Sequence, residues 1–556
     1  MVKEKRLITA ALPYINNVPH LGHIVGSHLP ADIFARYCRL KDYDVLFVGG
    51  TDEHGSTTEI SALKVGKDIE TFSKKLYEEH KKVYSWFNIS YDNFSRTTSE
   101  VHYKTVQDFF TKVYTNGYVK KGKMKVFYSA KDKIFLPDRY IKGECPKCGY
   151  EEANGDQCEK CTSVLDSFQL KNPRSTIGGD KVEIREVEHL FLDLSKLSPK
   201  LKKWLESKTD WRNQVTSIAL GWIKEGLKDR CITRDLKHGV PVPLKGFEDK
   251  VFYVWFDAPI GYISFTKEIS KKWKEFWTGK IYNFLGKDNI PFHTIFWPGM
   301  IIAEEEFALP ERVIGLQYLN YEGGKFSKSK KRGVFCEKLP ECGIPVDIWR
   351  AYLTQLIPET NDTEFKWKEF KERINSDLIG NFGNFVNRIF TFAQTKFGGE
   401  VNKPKSFNTD QKNFMNEVKK DLVEIDKLFE EGEIRKTYAK VLELSSKGNK
   451  FLDANQPWKV IIEDKDEAEK TIFICLDLIK KLSILMHPFI PTSTEKIWDQ
   501  LKLGPFLWKD LTIEEKKYKI DHVERLFSNL DEDMIDKAKL ITSNAPNLEE
   551  FFSAKE

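Results

Sequence analysis

Two histidines lie close together near the start of the chain, in His20-Leu21-Gly22-His23. Imidazole rings at positions i and i+3 can donate hydrogen bonds to a phosphate, and the glycine between them leaves room for a flat base. The four residues stand between a predicted strand and a predicted helix, whose N-terminus attracts anions. An ordinary polar turn is the alternative, but the position directly after the first strand favours phosphate binding.

A lysine-rich segment much later in the chain is the second candidate, Gly323-Gly324-Lys325-Phe326-Ser327-Lys328-Ser329-Lys330-Lys331. Its two glycines allow a mobile loop. Lys325 and Lys328 are three residues apart, so both can reach the same polyphosphate. A solvated basic loop is the alternative, because most runs of lysine are solvated.

Four cysteines form a C-x2-C-x9-C-x2-C array, Cys145, Cys148, Cys158 and Cys161. Two matched C-x-x-C pairs predict one tetrahedral Zn²⁺ site, and four thiolates leave no open position, so the metal should be structural. A chance pattern or a redox pair would leave the second C-x-x-C unexplained. The remaining five cysteines are scattered and are predicted to be ordinary thiols: Cys38, Cys231, Cys336, Cys342 and Cys475.

The segments around these residues are predicted to form a parallel α/β sheet. A strand is predicted over 7–15, a helix over about 26–41 and a strand over 45–48, which is a βαβ unit of a doubly wound, Rossmann-like fold. Apolar runs at 251–256 and 295–297 predict a second α/β stretch, so an insertion that contains the zinc knuckle splits the sheet. From about 365 onward the pattern is helical.

The expected domains follow from these elements. They are a first catalytic half (1–117), a connective insertion with the knuckle (118–230), a second catalytic half (231–320), a lysine-loop and stem-contact region (321–365) and a helical domain (366–556). With 556 residues, more than one folded unit is expected.

Composition narrows the class of protein. Mean hydropathy is -0.47 and no long uncharged apolar run occurs, which excludes a membrane-spanning helix. The basic start followed by an apolar stretch lacks a cleavage site for a secretory signal. Nine cysteines without a regular framework argue against a disulfide-rich secreted protein, so a cytoplasmic location is expected. A net charge of +5 permits an anionic partner without requiring one.

Taken together, the histidine turn and the lysine loop resemble the HIGH and KMSKS motifs of class I aminoacyl-tRNA synthetases, in the same order along a split sheet. The resemblance implies that an amino-acid carboxylate attacks the α-phosphate of ATP, which is bound with Mg²⁺. It also implies ATP contacts and catalytic roles for His20, His23, Lys325 and Lys328, and an ATP contact for Gly22. Phe326 departs from the family pattern, in which methionine is commoner, but no charged group is lost.

Within that class, three further stretches resemble the methionine-specific family, namely 11–14, 253–262 and 286–293. The resemblance implies that Asp52 binds the α-ammonium group and that Asp288 lies on the ATP side. It implies a methionine pocket of Ala11, Leu12, Tyr14, Trp255, Ala258, Pro259, Tyr262, Phe292 and His293. A flexible thioether favours aromatic contacts. The alternative is that these aromatic residues are ordinary core.

The helical third is then expected to bind tRNA. On a predicted helix over about 368–396, Asn384 and Arg388 match family residues that read the anticodon, and Trp458 after Pro457 matches another. Tryptophan, asparagine and arginine suit single-stranded loops, which are read by stacking and base-edge hydrogen bonds. A solvated helix shoulder and a core tryptophan are the alternatives. The expected partners are ATP, L-methionine and tRNA(Met), with no membrane and no DNA.

Three other functions fit parts of this pattern. A small-molecule adenylyltransferase shares the histidine turn but does not need the long helical third or the lysine loop. A non-catalytic tRNA-binding paralogue would have lost His20, His23 or Lys328, and all three are present. A synthetase for leucine, isoleucine or valine would need a much larger editing insertion than 118–230.

Overall fold

The computed structural model describes residues 3–136, 140–155, 158, 160–161, 165, 167–326, 332–542 and 547–553. Lys328, for which a catalytic role is expected, lies outside the described residues. So do the other residues of the lysine-rich segment from 327 to 331.

A five-stranded parallel sheet forms the centre of the catalytic part, as the sequence predicted. Its strands are β1 (Lys5–Ala10), β2 (Asp44–Thr51), β3 (Asn93–Arg96), β4 (Lys280–Gly286) and β5 (Arg312–Leu316). Their spatial order is β5-β4-β1-β2-β3, so the first and second halves of the chain meet between β1 and β4. Register is set by pairs such as Ile8 with Tyr282 and Ile8 with Phe47.

One predicted strand and one apolar run of the predicted second α/β stretch differ from the observed elements. The strand predicted over 7–15 ends at Ala10, and the next residues instead line a cavity. The apolar run 251–256 is a strand only at Val251–Phe252 and then turns into the helix Val254–Asp257, so the second half of the sheet comes from β4 and β5. Short apolar runs suit a strand or a buried helix equally well, which is why the pattern misled.

Helices cover both faces of the sheet. The helix that follows the histidine turn runs through Leu21–His23, a π-helical turn Ile24–His28 and Leu29–Leu40, and Phe34 packs its ring 4.7 Å from that of Tyr282. The other helical segments before residue 356 are Ser56–Lys64, Ile69–Trp86, Glu100–Thr115, Ser167–Gln169, Leu194–Glu206, Asn213–Glu225, Ala258–Ile260, Gly261–Ile269, Trp273–Trp277, Lys287–Asn289, Phe292–Phe296, Trp297–Glu304, Cys336–Cys342 and Val346–Gln355; those at 167–169, 194–206 and 213–225 lie in the insertion.

The insertion between the two halves is mainly antiparallel. One sheet has the strands Val119–Ser129, Ile134–Leu136, Glu183–Leu192 and Arg230–Cys231, and a smaller one has Ile141–Glu144, Ala153–Asn154 and Lys171–Ser175. The segments that connect the strands of the smaller sheet carry the cysteine array, and Tyr140 donates a 2.9 Å hydrogen bond to Glu59 of the catalytic part. The remaining short strands are Thr233–Arg234, Leu319–Tyr321, Gly324–Lys325, Thr363–Phe365, Glu400–Asn402 and Lys517–Lys519.

The last third is helical, as predicted. Its helical segments are Trp367–Arg373, Ile374–Gly383, Asn384–Phe397, Thr409–Glu430, Ile434–Asn455, Pro457–Val460, Lys465–Met486, Pro491–Leu501, Trp508–Leu511, Glu532–Thr542 and Leu548–Ser553. A buried arginine ties this part to the catalytic part: Arg350 is ion-paired with Asp32 of the catalytic part at 2.7 Å and donates to the carbonyl of Phe489 at 2.8 Å. In the part of the chain that the structure describes, none of the helices is both long and apolar enough to cross a membrane.

Candidate active site

One cavity of about 590 Å³ lies at the carboxyl ends of β1, β2 and β4. That edge is where open parallel sheets bind ligands. The cavity brings together every described residue for which ATP or methionine contact was predicted: Ala11, Leu12, Tyr14, His20, Gly22, His23, Asp52, Trp255, Ala258, Pro259, Tyr262, Asp288, Phe292, His293 and Lys325. Residues 240 or more positions apart in sequence therefore share one site.

The histidine turn is held by its own hydrogen bonds. His20 Nδ1 accepts from the backbone N–H of Gly22 at 3.1 Å, and the backbone N–H of His20 donates to His23 Nδ1 at 3.1 Å. Because both Nδ1 atoms accept, each neutral ring carries its proton on Nε2, the donor it can offer to a phosphate. A Cβ on residue 22 would lie 2.8 Å from the His20 ring, which explains the glycine.

Both described ends of the lysine loop contact this turn. Phe326 stacks on the His20 ring with centroids 4.8 Å apart, just before the loop. After the loop, Val334 accepts from the N–H of Leu21 at 3.2 Å. The two signature motifs, some 300 positions apart in sequence, are therefore neighbours in space.

Aromatic rings and one histidine form the other end of the cavity. Trp255 Nε1 donates to the Tyr14 hydroxyl at 3.1 Å and packs edge-on against Phe292. His293 Nδ1 donates to the carbonyl of Asn289 at 3.1 Å, so its Nε2 accepts from the Tyr262 hydroxyl at 3.0 Å. Burial lowers the pKa of His293 to about 4, which keeps this ring neutral. An apolar, aromatic pocket with a fixed polar wall suits a thioether side chain.

Asp52 places a buried carboxyl group in the same cavity. It is 4% exposed and accepts a 3.3 Å hydrogen bond from the backbone N–H of His54. Burial, and then the nearby Asp257 carboxyl, raise its pKa well above the usual value. A buried carboxyl of this kind can be compensated by a ligand ammonium group.

The predicted zinc cysteines form one compact group. The Sγ atoms of Cys145 and Cys161 are 3.8 Å apart, those of Cys148 and Cys158 are 3.6 Å apart, and all four lie within 4.8 Å of one another. Ligands ~2.3 Å from a tetrahedral Zn²⁺ would be separated by ~3.8 Å. All nine cysteines are free thiols, so the donor set fits a four-thiolate metal site.

The structure also brings together two of the three residues predicted to read an anticodon. The Arg388 guanidinium lies 5.4 Å from the Trp458 ring centroid, and both line a cavity of about 330 Å³. Arg388 is also paired with Asp453 at 2.7 Å. Trp458 is 40% exposed, so it is not a core residue, which contradicts the alternative. Asn384 is exposed one helical turn before Arg388 but does not line the cavity.

Some lining residues were missed from the sequence. Gln317, Tyr318 and Asn320 border the cavity directly after β5, and Asn289 accepts the hydrogen bond from His293. Residues that follow a parallel strand at its carboxyl end are expected at such a site. Had β5 been predicted, the same rule would have found Gln317 and Tyr318.

Family models match most of the chain. Residues 6–390 match the model described as tRNA synthetases class I (M), and 401–534 match the anticodon binding domain of methionyl tRNA ligase. A Xenopus laevis protein named methionine–tRNA ligase, cytoplasmic, is 42% identical over 96% of this chain. This chain spans 60% of that relative. A methionine–tRNA ligase of Borrelia garinii is also 42% identical, over 99% of this chain and 76% of its own length.

Solved structures show the same fold. Methionyl-tRNA synthetase of Mycobacterium tuberculosis, in complex with methionyl-adenylate, superposes with a TM-score of 0.79 over 94% of this chain and 99% of its own. The identity is 24%, so this likeness supports the fold alone.

Proposed function

Because the chain belongs to the class I methionyl-tRNA synthetase family, we propose that it activates L-methionine with ATP and transfers the methionyl group to tRNA(Met). The observation that carries the proposal is the single cavity in which the histidine turn, the base of the lysine loop and the aromatic pocket meet. A carboxylate held in the aromatic pocket would face a triphosphate held by the two motifs.

The first step is proposed as an in-line displacement. A methionine carboxylate oxygen attacks the α-phosphorus of ATP, the bond to the bridging oxygen breaks, and pyrophosphate leaves with Mg²⁺. Negative charge builds on the phosphate oxygens, so the protein contributes mainly positioning and charge stabilisation. His20 and His23 offer Nε2–H donors, and Lys325 and Lys328 offer ammonium groups to the leaving pyrophosphate. In the second step a terminal ribose hydroxyl of tRNA attacks the methionyl carbonyl and AMP leaves.

The other proposed roles follow the geometry. Asp52 binds the methionine ammonium group, and Asp288 lies on the ATP side. The aromatic pocket described above, which includes Ala11 and His293, holds the methionine side chain. One structural Zn²⁺ is held by the cysteine array, whose closed thiolate set leaves no position for substrate. Asn384, Arg388 and Trp458 read the anticodon. The domain limits stay as expected from the sequence, and a cytoplasmic location is proposed from the names of several relatives.

An adenylyltransferase without tRNA is the second candidate. Nothing in its chemistry would use a domain that matches an anticodon-binding model over 401–534. The cavity formed by Arg388 and Trp458, remote in sequence from the histidine turn, favours the synthetase instead.

The test is ATP–pyrophosphate exchange measured with each of the twenty amino acids. Exchange should depend on methionine and Mg²⁺, with leucine and isoleucine far weaker. Transfer to tRNA(Met) should follow, with release of AMP. Exchange driven best by another amino acid, or by none, would show that the assignment is wrong.

A further inference from the structure

A second buried carboxyl lies next to Asp52 and has no role in the reaction proposed above. Asp257 is completely buried, two residues after Trp255 and one before Ala258, both of which line the methionine pocket. Both carboxyls accept hydrogen bonds from His54, and burial raises the pKa of each well above its usual value. Two neighbouring acids are therefore buried where one ligand ammonium group is expected.

His54 holds both acids. Its backbone N–H donates to Asp52 Oδ1 at 3.3 Å, and its ring Nδ1 donates to Asp257 Oδ2 at 2.6 Å. The ring Nε2 then accepts from the Tyr103 hydroxyl at 3.3 Å. Burial lowers the pKa of His54 to about 4, so the ring is neutral near pH 7. His54 thus fixes the positions of the two carboxyls but brings no positive charge.

The surroundings offer no cation either. The other ionisable groups near the acids are Tyr14, Glu53, Tyr103, His238 and Tyr262. Burial keeps the tyrosines protonated and lowers the pKa of His238 to about 4. Glu53 is turned away into an ion pair with Arg96 at 2.8 Å. Among the residues that the structure describes, no lysine or arginine forms an ion pair with Asp52 or Asp257.

We propose, building on the proposed function, that Asp52 and Asp257 share one proton in the ligand-free enzyme and that the methionine ammonium group displaces it. Two like charges buried side by side cannot both ionise without a compensating cation. Asp257 Oδ1 is buried and has no hydrogen-bond partner among the described atoms, so an oxygen is available to hold the proton.

The exchange balances in charge and atoms. The free pair carries one proton and one negative charge; the bound pair carries two negative charges beside the ammonium group; and one H⁺ leaves to solvent. No covalent bond of methionine changes. Asp257 is therefore a positioning residue, which sets the charge of Asp52 rather than touching the reacting atoms.

The proposal predicts proton release when methionine binds. Isothermal titration of the whole protein with L-methionine, in buffers of different ionisation enthalpy, counts the protons directly. The count should approach one wherever the free pair still holds its proton, and over that range the Kd should fall by up to tenfold per pH unit as the pH rises. Methionine binding with no proton release across that range would overturn the proposal and leave the proposed function standing. Absence of methionine binding would count against both.

Two ligand controls separate the ammonium group from the rest of methionine. Methioninol keeps the ammonium group and lacks the carboxylate, so it should release the same proton. 4-(Methylthio)butanoate keeps the carboxylate and lacks the ammonium group, so its binding should release none. Equal proton release with both ligands would contradict displacement by the ammonium group.

Asp257→Asn tests the residue itself. The variant removes one of the two acids at constant size, so fewer protons should be released and the pH dependence of Kd should move to lower pH. Asp347→Asn is the matched control, because Asp347 is also buried but accepts from Ser493 far from the cavity. An unchanged proton count and pH profile in Asp257→Asn would contradict the proposal. If Asp257→Asn does not fold, the proton count and ligand controls on the unmodified protein still decide.

Discussion

Single residues at the cavity carry charges that matter mainly in the transition state. Lys325 lies at the cavity edge, exposed, with its Nζ 5.7 Å from the Tyr318 ring centroid. An ammonium group aimed at pyrophosphate gains most of its interaction as that group leaves.

We therefore expect Lys325→Ala and Lys328→Ala to slow methionine activation much more than they weaken methionine binding. Losing one preorganised donor costs on the order of 3 kcal/mol in the barrier, roughly a hundredfold in kcat. Steady-state exchange gives kcat and the KM for methionine of each variant. Lys338→Ala, on the short helix Cys336–Cys342, is the control. A loss confined to the KM for methionine would contradict these roles.

A half-buried histidine in the helical part makes stability depend on pH. His487 stacks on Trp498 at 4.6 Å and bonds Thr494 at 3.0 Å, and burial lowers its pKa to about 3. The folded ring stays neutral while the unfolded ring takes up a proton below about pH 6.5. This histidine therefore lowers the free energy of unfolding as the pH falls from about 6.5 towards 3.

His487→Gln should lose less stability on acidification than the unmodified protein. Between about pH 7.5 and about pH 5 the difference should be about 2 kcal/mol in the free energy of unfolding. Urea unfolding at both pH values measures it. His522→Gln, at an exposed histidine, should leave the acid loss unchanged. The same acid loss in His487→Gln as in the unmodified protein would disprove the assignment.

How far residues could be predicted from sequence depended on their distance from a motif. The described site residues that were predicted from the histidine turn, the lysine loop and the aromatic stretches all line the cavity, because each stretch has a distinctive local pattern. Asp257 was passed over although it stands in one of those stretches. Its significance comes from a neighbour 205 positions earlier in sequence, and such a contact has no local signal.

Among the predicted elements, the zinc knuckle was predicted most completely, from the spacing of its four cysteines. Its four sulfurs converge as a tetrahedral site requires. By contrast, the strands β4 and β5 were not predicted, and the apolar run 251–256 pointed to a different part of the chain. Cysteine spacing encodes a geometry directly. Apolar runs encode only burial, so the type of element stays undetermined until the tertiary contacts are known.

Metal analysis should find one Zn²⁺ per chain, lost in Cys158→Ser. Zinc binding supplies folding energy to small sites, so the insertion should become sensitive to protease and activity should fall through misplacement or lower stability. Cys231→Ser, a cysteine outside the array, should keep the metal. Two zincs per chain, or a stable and fully active metal-free protein, would contradict this site.

Across the whole molecule, activation and tRNA recognition are assigned to separate parts. Arg388 and Trp458 belong to the helical part, while the histidine turn lies on the parallel sheet. Arg350, which is ion-paired with Asp32 in the catalytic part, connects the two by donating to the carbonyl of Phe489, and it lies in neither site.

Trp458→Ala should therefore impair charging and spare activation. Loss of base stacking worth roughly 1–3 kcal/mol lowers the kcat/KM for tRNA(Met) about tenfold or more. Arg388→Ala should behave alike, and if the guanidinium also contacts phosphate, tRNA binding by the variant should depend less steeply on salt concentration. Exchange without tRNA and the melting temperature are measured on the same proteins. Parallel losses of exchange, charging and melting temperature would assign Trp458 a structural role instead.

The position of β1 between β2 and β4 has a consequence during synthesis on the ribosome. Roughly 270 residues separate the end of β1 at Ala10 from the start of β4 at Lys280. At typical elongation rates, β1 waits roughly 15 to 55 s for its second neighbour. For that time its apolar edge stays open, and open edges recruit other chains. The strands of the antiparallel insertion pair with one another and not with the parallel sheet. The insertion can therefore fold before β4 has been synthesised.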